Sequence, residues 1–154
     1  MTEDDLLAAR ADLFGSIFVV VQHLTRRSDA ELADLGLTTR QWLLLAVLAR
    51  GFEGRRPSLS EAAAAYGSSR QNVKKIALGL EERGWLRLVP DPDDGRTTRI
   101  ELTGRVAVFE EPRMQARAAA LLADACAGLS HEDTLALSHL VHRWLASLTA
   151  RPAD

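Results

Sequence analysis

Apolar residues recur at steps of three, four and seven along most of this 154-residue chain, and two short runs alternate instead. The first pattern predicts amphipathic helices, and the second predicts strands. Helical spacing covers residues 3–27, 39–49, 61–65, 70–83, 103–127 and a last segment that begins after Ser130. Alternation covers residues 85–89 and 97–102. We therefore predict a mainly α-helical protein with one small β-hairpin.

Polar residues with capping spacing mark the predicted helix starts. A Ser or Thr side chain at such a start accepts a hydrogen bond from a backbone amide of the first turn. The pairs with this spacing are Thr2 and Asp5, Thr38 and Gln41, Ser58 and Glu61, and Ser130 and Asp133. For the helix over 70–83, Ser69 is the preferred cap and Ser68 is the alternative. Pro112 should kink or restart the helical region 103–127.

The helix over 70–83 has one apolar side and one side rich in basic and amide groups. Its apolar stripe consists of Val73, Ile76, Ala77 and Leu80. This helix follows the one over 61–65 after a turn of only three or four residues, which is typical of a helix-turn-helix. Because the hairpin follows at once, the order of elements predicts a winged helix-turn-helix, in which the hairpin is the wing.

Charge is unevenly distributed along the chain. The net charge is -2, which taken alone argues weakly against a nucleic-acid partner. Residues 55–105, however, hold ten Lys or Arg and seven Asp or Glu, a local balance of +3 that leaves -5 elsewhere. A basic middle between acidic flanks is expected when only one face of a protein meets phosphate.

The basic side of the 70–83 helix has the chemistry of DNA recognition. Arg and Lys side chains reach guanine acceptors or phosphates, and amides pair with adenine, from a helix that fits the major groove. The candidates are Ser68, Ser69, Arg70, Gln71, Asn72, Lys74 and Lys75. Asn72 stays open between the groove and a local structural bond. The alternative, a solvated basic face, is disfavoured because a short turn precedes this helix and an Arg-bearing hairpin follows it.

Arg96 lies at the predicted tip of the hairpin. It either pairs with Asp91 or Asp94, or enters the minor groove, where narrow grooves favour Arg. We favour the groove, with the nearby Asp residues, Asp94 among them, orienting Arg96. Arg87 and Arg99 are weaker candidates for contacts with the DNA backbone.

The first and last helices carry apolar edges that predict a second chain. In the first helix, Leu6, Leu13, Ile17, Val20 or Val21, and Leu24 are spaced almost as in a coiled coil. In the last, the edge consists of Leu137, Leu140 or Val141, Trp144 and Leu148. We predict a single domain over 1–154, with a DNA-binding part over 34–103 and helical dimerisation parts over 3–30 and 104–149.

Several classes of protein are disfavoured by the sequence. One cysteine allows no intramolecular disulfide, and we expect Cys126 to be buried and inert. The acidic start, with no apolar run near the roughly 20 residues that span a bilayer, predicts a soluble cytoplasmic protein without a membrane. No phosphate loop or nucleophile motif is present, so an enzyme is not expected. His139 and His142 alone have useful ligand spacing, so neither a metal nor a cofactor is expected.

In order and spacing, these motifs resemble the MarR family of bacterial transcriptional regulators. The matching segments are residues 35–38, 41–42, 58–61, 69–73, 80–84, 91–96 and 102–103. The most specific are Leu80-Glu81-Glu82-Arg83-Gly84 and Asp91-Pro92-Asp93-Asp94-Gly95-Arg96. One departure is Gly95, which stands where the family often has a second basic residue.

The resemblance implies a homodimer whose two winged helices bind a pseudo-palindromic operator on double-stranded DNA. It also implies a repressor that a small-molecule effector or oxidation releases. In the family, effectors often bind between the dimerisation helices and the winged helix, where Phe14, Phe18, His23 and Trp42 are candidates; each is otherwise a core residue. The rival function is a winged-helix protein interaction module, such as an anti-repressor or a partner of another regulator, without DNA binding.

Overall fold

The computed structural model describes residues 2–150 and confirms a mainly α-helical fold with one β-hairpin. The helices are α1 Glu3–Leu32, α2 Thr39–Gly51, α3 Leu59–Tyr66, α4 Arg70–Glu82, α5 Pro112–Ala125 and α6 His131–Thr149, and the strands are β1 Leu86–Pro90 and β2 Thr98–Leu102. Short 3-10 helices follow α1 at Ala33–Leu35 and β2 at Gly104–Glu110. Contacts divide the chain into two compact units, before and after the Trp42–Leu43 bond.

The predicted caps are confirmed because they depend only on neighbouring residues. Reciprocal side-chain and backbone bonds join Thr2 to Asp5, Thr38 to Gln41, Ser58 to Glu61, and Ser130 to Asp133. Ser69, not Ser68, caps α4, since its side chain accepts from the Asn72 amide at 3.1 Å. Pro112 occupies the first turn of α5, where its missing N–H costs no helical bond.

Helix α1 differs from the prediction in length and in its apolar character. It continues five residues past Arg27 and ends at Leu32. Gly36, at φ 67°, then ends the short 3-10 helix that follows. Residues 28–32 contain no helix breaker, so the basic pair at 26–27 does not mark the end. By length and composition, Glu3–Leu35 could cross a membrane, contrary to the expectation from uninterrupted apolar runs. Its apolar side chains between Leu7 and Leu24 are largely exposed.

The core of the second unit is built from α2, α3, α4 and the hairpin. Its fully buried large side chains are Leu44, Leu59, Val73, Leu80, Trp85, Leu86 and Ile100. Helix α3 packs on α4, and α4 packs on β1. Trp85, at 0 % exposure, stacks on Phe109 with ring centroids 5.6 Å apart, and the Arg105 guanidinium lies 4.3 Å from its ring.

The hairpin is antiparallel and is joined to the start of α3. Its register runs from the Leu86–Leu102 pair to the Pro90–Thr98 pair. Strand β1 begins and ends one residue later than predicted, and β2 begins one residue later. Ser58 forms an isolated bridge with Arg99, and the Ile100 amide donates to the Pro57 carbonyl at 2.9 Å. The base of the wing is thus held by main-chain bonds that need no particular side chain.

Helices α2 and α6 expose much of their apolar surface. In α2, Trp42 and Leu43 are 37 % and 41 % exposed, while Leu44, Leu45 and Leu48 are buried. A run of apolar residues along a helix covers more of its circumference than one core can bury. Helix α6 has no buried residue at all, although its apolar edge has the predicted spacing.

Candidate nucleic-acid interface

Helix α4 presents a continuous exposed face opposite its buried stripe. At about 100° per residue, Arg70, Lys74, Leu78, Gln71 and Lys75 fall within an arc of about 140°. All five are exposed, whereas Val73, Ala77 and Leu80 on the other side are buried. An open depression of about 500 Å³ runs along this face; its lining consists of Ser69, Gln71, Asn72, Lys74, Lys75 and Leu78.

The two serines before α4 are used to build the helix start. The Ser69 hydroxyl accepts from the Asn72 backbone amide, and the Asn72 side-chain amide donates to the Ser68 hydroxyl at 2.8 Å. Asn72 is partly buried in this arrangement. Its local structural role, left open by the sequence, is therefore the one that the structure shows, and its amide braces the turn between α3 and α4.

The remaining polar side chains of the α4 face are available to a ligand. Within residues 2–150, the side chains of Arg70, Gln71, Lys74 and Lys75 make no hydrogen bond or ion pair. The cap at Ser69 leaves first-turn backbone amides at the same end of the helix, where the helix dipole favours anions. No acidic residue lies in that first turn. This end of α4 is therefore suited to phosphate.

The hairpin tip holds Arg96 through its backbone. Asp94 accepts from the Arg96 amide at 3.1 Å and from the Thr97 hydroxyl at 3.0 Å. Across the described part of the chain, the Arg96 guanidinium has neither a hydrogen-bond partner nor an ion-pair partner. Asp94 thus shapes the turn that carries Arg96, while the guanidinium itself stays exposed.

Arg87 and Arg99, the weaker candidates for DNA contacts, are engaged within the protein. Arg87 pairs with Glu101 at 2.8 Å across the hairpin. Arg99 pairs with Asp91 and, at 3.5 Å, with Glu61 at the start of α3. The Arg99 hydrogen bond lowers the pKa of Asp91 and the pKa of Arg99 is raised in turn, so both stay charged at neutral pH. The Ser58 amide and, more weakly, Arg99 lower the pKa of Glu61.

Asp91 has a role that the sequence did not reveal. It is the buried polar residue of the hairpin, and its carboxylate also accepts from the amides of Asp93 and Asp94. The signal that could have found its pairing is the hairpin register. Pro90 pairs with Thr98, so Asp91 and Arg99 flank that pair on opposite strands.

Of the effector-site candidates, two meet on α1 and a third borders a depression on the same helix. Phe14 and Phe18 meet edge to face with ring centroids 5.1 Å apart, and both are exposed. His23 follows Phe18 by five residues and so projects about 140° away from it around α1. It borders a separate depression of about 380 Å³ with Gln22, Thr25, Arg26 and Asp29. Trp42 lies on α2. An effector site that includes all four residues remains a prediction.

Residues 2–150 contain no group of three or more His, Cys, Asp or Glu arranged to hold a metal ion. The His142 ring nitrogen Nδ1 lies 2.7 Å from the Ser138 carbonyl of its own helix. Cys126 is half-buried rather than buried, at the C-terminal end of α5. These side chains add nothing to the surface formed by α4 and the hairpin tip.

Comparisons with known proteins agree with this geometry. Residues 35–97 match a model described as MarR family. The chain is 33 % identical over 104 residues to the transcriptional activatory protein BadR of Rhodopseudomonas palustris, across 65 % of this chain and 57 % of BadR. The match thus spans little more than half of that relative's length.

Solved structures share the fold. A mutant MarR from E. coli complexed with operator DNA superposes with a TM-score of 0.75 at 21 % identity, covering 87 % of this chain and 94 % of that one. BpsR of Bordetella bronchiseptica, in a structure on the regulation of its DNA binding by 6-hydroxynicotinic acid, gives 0.72 at 22 %, over 86 % and 98 %. At these identities the likeness establishes the winged helix-turn-helix fold.

The predicted fold is thereby confirmed, and the matched segment contains the helix-turn-helix and the hairpin up to Thr97. Residues 35–97 are thus similar to the MarR family, and the chain shares the fold of the solved MarR structures.

Proposed function

We propose that this protein is a sequence-specific regulator of transcription that binds double-stranded DNA through α4 and the hairpin tip. The observation that carries the proposal is the set of unpaired groups on the exposed α4 face: Arg70, Gln71, Lys74 and Lys75. These groups suit base edges as well as phosphates, since Arg and Lys pair with guanine and Gln with adenine. Arg96 at the hairpin tip adds a cation for the adjacent minor groove.

The regulator acts as a homodimer in this proposal. The α1 side chains Phe14, Phe18 and Val19 are 57 % to 60 % exposed, and Leu145 and Leu148 of α6 are 55 % and 60 % exposed. Exposed apolar surface on this scale is expected at an interface. A two-fold dimer presents two α4 helices, so its operator should be pseudo-palindromic, with half-sites about one helical turn apart. Burial of the apolar α1 side chains against a second chain would shield them from water without a membrane, which is consistent with a cytoplasmic location.

We further propose that the dimer is a repressor whose DNA binding a small molecule weakens. Support comes from BpsR, whose DNA binding is regulated by 6-hydroxynicotinic acid. BadR is named an activatory protein, so the direction of regulation needs its own test. Deleting the gene and measuring transcripts beside the selected operator decides it. Higher transcript levels support a repressor, and lower levels show an activator.

The test of DNA binding is a salt series on the wild-type dimer. DNA selected from a random pool is labelled, and fluorescence anisotropy gives its dissociation constant between 50 and 200 mM salt. A dimer that makes about six to ten phosphate contacts should lose about 10³- to 10⁵-fold in affinity over this range. Arg70→Ala and Lys74→Ala should weaken binding while the dimer, followed by sedimentation, persists.

Three results would contradict the proposal. Absence of DNA binding even at 50 mM salt would leave the protein interaction module as the better reading. Unfolding or dissociation of the Arg70 and Lys74 variants would show that these side chains are structural. A wild-type chain that stays monomeric at micromolar concentration would remove the proposed role of α1 and α6.

A further inference from the structure

The side chain of Arg99 joins the wing to the start of α3. Its guanidinium donates to Asp91 at the end of β1 and to the Arg56 carbonyl at 3.0 Å, and it lies 3.5 Å from the Glu61 carboxylate. The same Glu61 oxygen accepts from the Ser58 amide at 2.7 Å and so caps α3. One guanidinium therefore connects the hairpin, the preceding loop and the helix-turn-helix.

From Asp91, a series of short bonds continues to the tip of the wing. Asp91 accepts from the amides of Asp93 at 2.8 Å and Asp94 at 3.0 Å, which fixes the first half of the turn. Asp94 then accepts from the Arg96 amide at 3.1 Å. Arg99 is thus connected to the Arg96 backbone through the carboxylates of Asp91 and Asp94, and its own side chain is only partly exposed.

The strand pairing does not depend on this side chain. The Ser58–Arg99 bridge and the bond from the Ile100 amide to Pro57 are main-chain contacts, and Leu86 and Ile100 anchor the hairpin in the core. Loss of the Arg99 guanidinium should therefore leave the hairpin folded while it frees Asp91 and the turn beyond it. The direction in which the tip projects then becomes variable.

We propose that Arg99 is a positioning residue for DNA binding: it holds Asp91 so that the wing tip presents Arg96 at a fixed place relative to α4. This inference rests on the proposed DNA-binding function. It makes Arg99 act through Arg96, without a DNA contact of its own. A positioned cation binds DNA more tightly than a mobile one because less conformational freedom is lost on binding.

A double-mutant cycle tests this dependence. Arg99→Gln, Arg96→Ala and the double variant are compared with the wild-type dimer on the selected operator by anisotropy. Residues that act through one network show strong coupling. We expect Arg99→Gln to weaken binding about tenfold in the wild-type background and less than about twofold when Arg96 is already Ala. Arg99→Gln and Arg96→Ala should also reduce the salt dependence of binding by the same amount.

Two further variants separate positioning from charge and from folding. Arg56→Gln is the matched control, because Arg56 is a neighbouring Arg that pairs with Glu101 at 3.2 Å and is not bonded through its side chain to Asp91. Arg56→Gln also removes one positive charge near the wing, and we expect it to change the affinity for DNA less than about twofold. Should Arg99→Gln fail to fold, Asp91→Asn removes the other partner of the same pair, and its effect should also vanish in the Arg96→Ala background.

The outcomes are distinguishable. Equal losses in both backgrounds would overturn the inference, because Arg99 would then contribute independently of Arg96. Unchanged affinity of Arg99→Gln in the wild-type background would overturn it as well. Failure of the wild-type dimer to bind DNA at low salt would instead refute the proposed function, whatever the variants do.

Discussion

Replacing Lys74 with Ala should weaken DNA binding by a factor that shrinks as salt is added. Lys74 lies on the exposed face of α4 and is without a hydrogen bond or ion pair among the described residues. In a two-fold dimer the substitution removes two cations from the interface. Each cation that neutralises a phosphate contributes about 0.9 to the slope of log affinity against log salt, so the slope should fall by about 1.8.

This slope sets how quickly the variant and the wild type converge. Raising salt from 50 to 200 mM is a fourfold change, and four raised to the power of about 1.8 is about 12. The ratio of the two dissociation constants should therefore be about 12-fold smaller at 200 mM than at 50 mM. Anisotropy titrations at four salt concentrations, on the same labelled operator, measure the ratio directly.

Arg83→Ala is a matched control for Lys74→Ala. Arg83 follows α4, is exposed, and projects about 180° away from Lys74 around that axis. Arg83→Ala should leave both the affinity and the slope nearly unchanged. A ratio for Lys74→Ala that stays constant with salt would refute phosphate binding and indicate a base contact. Equal effects of both substitutions would show that only net charge matters.

Three other predictions concern stability, assembly and pH. Ser69→Ala removes the cap bond to Asn72 and should lower the free energy of unfolding by about 1 kcal/mol in urea denaturation at fixed dimer concentration; an unchanged midpoint would contradict the role of the cap. Leu140→Asp puts a charge on an α6 side chain that is 50 % exposed and should raise the dimer dissociation constant more than tenfold by sedimentation; an unaffected dimer would exclude this edge. Arg99 lowers the pKa of Asp91, so its ionised form stabilises the fold at neutral pH and this contribution disappears as pH falls through the lowered pKa, below about 4. The difference in thermal midpoint between wild type and Asp91→Asn should shrink over that range, and a difference independent of pH would contradict the pairing.

Local patterns in the sequence were sufficient for most of the fold. The cap pairs involve residues three apart, so no knowledge of the rest of the chain is needed to place the helix starts. The two sides of α4 follow from helical periodicity, and its apolar stripe is in fact buried at Val73, Ala77 and Leu80. The hairpin follows from alternation on both sides of a segment that cannot continue a strand.

Features that depend on distant contacts were harder to predict. The end of α1 lies beyond its basic pair because Leu32 is buried and Gly36 provides the turn. Arg99 looked like a surface cation in the sequence, since its partners Asp91 and Glu61 are eight and 38 residues away and meet it only through the fold. Asn72 could not be assigned until the geometry of Ser68 was known.

The apolar faces of α1 and α6 illustrate a different limit. Their spacing predicts that something covers them, and within one chain they are exposed. Burial of these faces against a second copy depends on association between chains, which local sequence patterns do not determine. The effector candidates on α1 have the same difficulty, because the predicted cleft between the dimerisation helices and the winged helix depends on the same association.

Trp85 provides the winged helix with an internal optical probe. Indole emission shifts to shorter wavelength in a dry environment, and Trp85 is completely shielded between Phe109 and the Arg105 guanidinium. Within one chain, Trp42 is exposed and Trp144 is partly exposed, so their emission would overlap that of Trp85. With these two replaced by Phe, fluorescence would report the integrity of the α4–β1 junction alone, and would separate its melting from the dissociation of the proposed dimer.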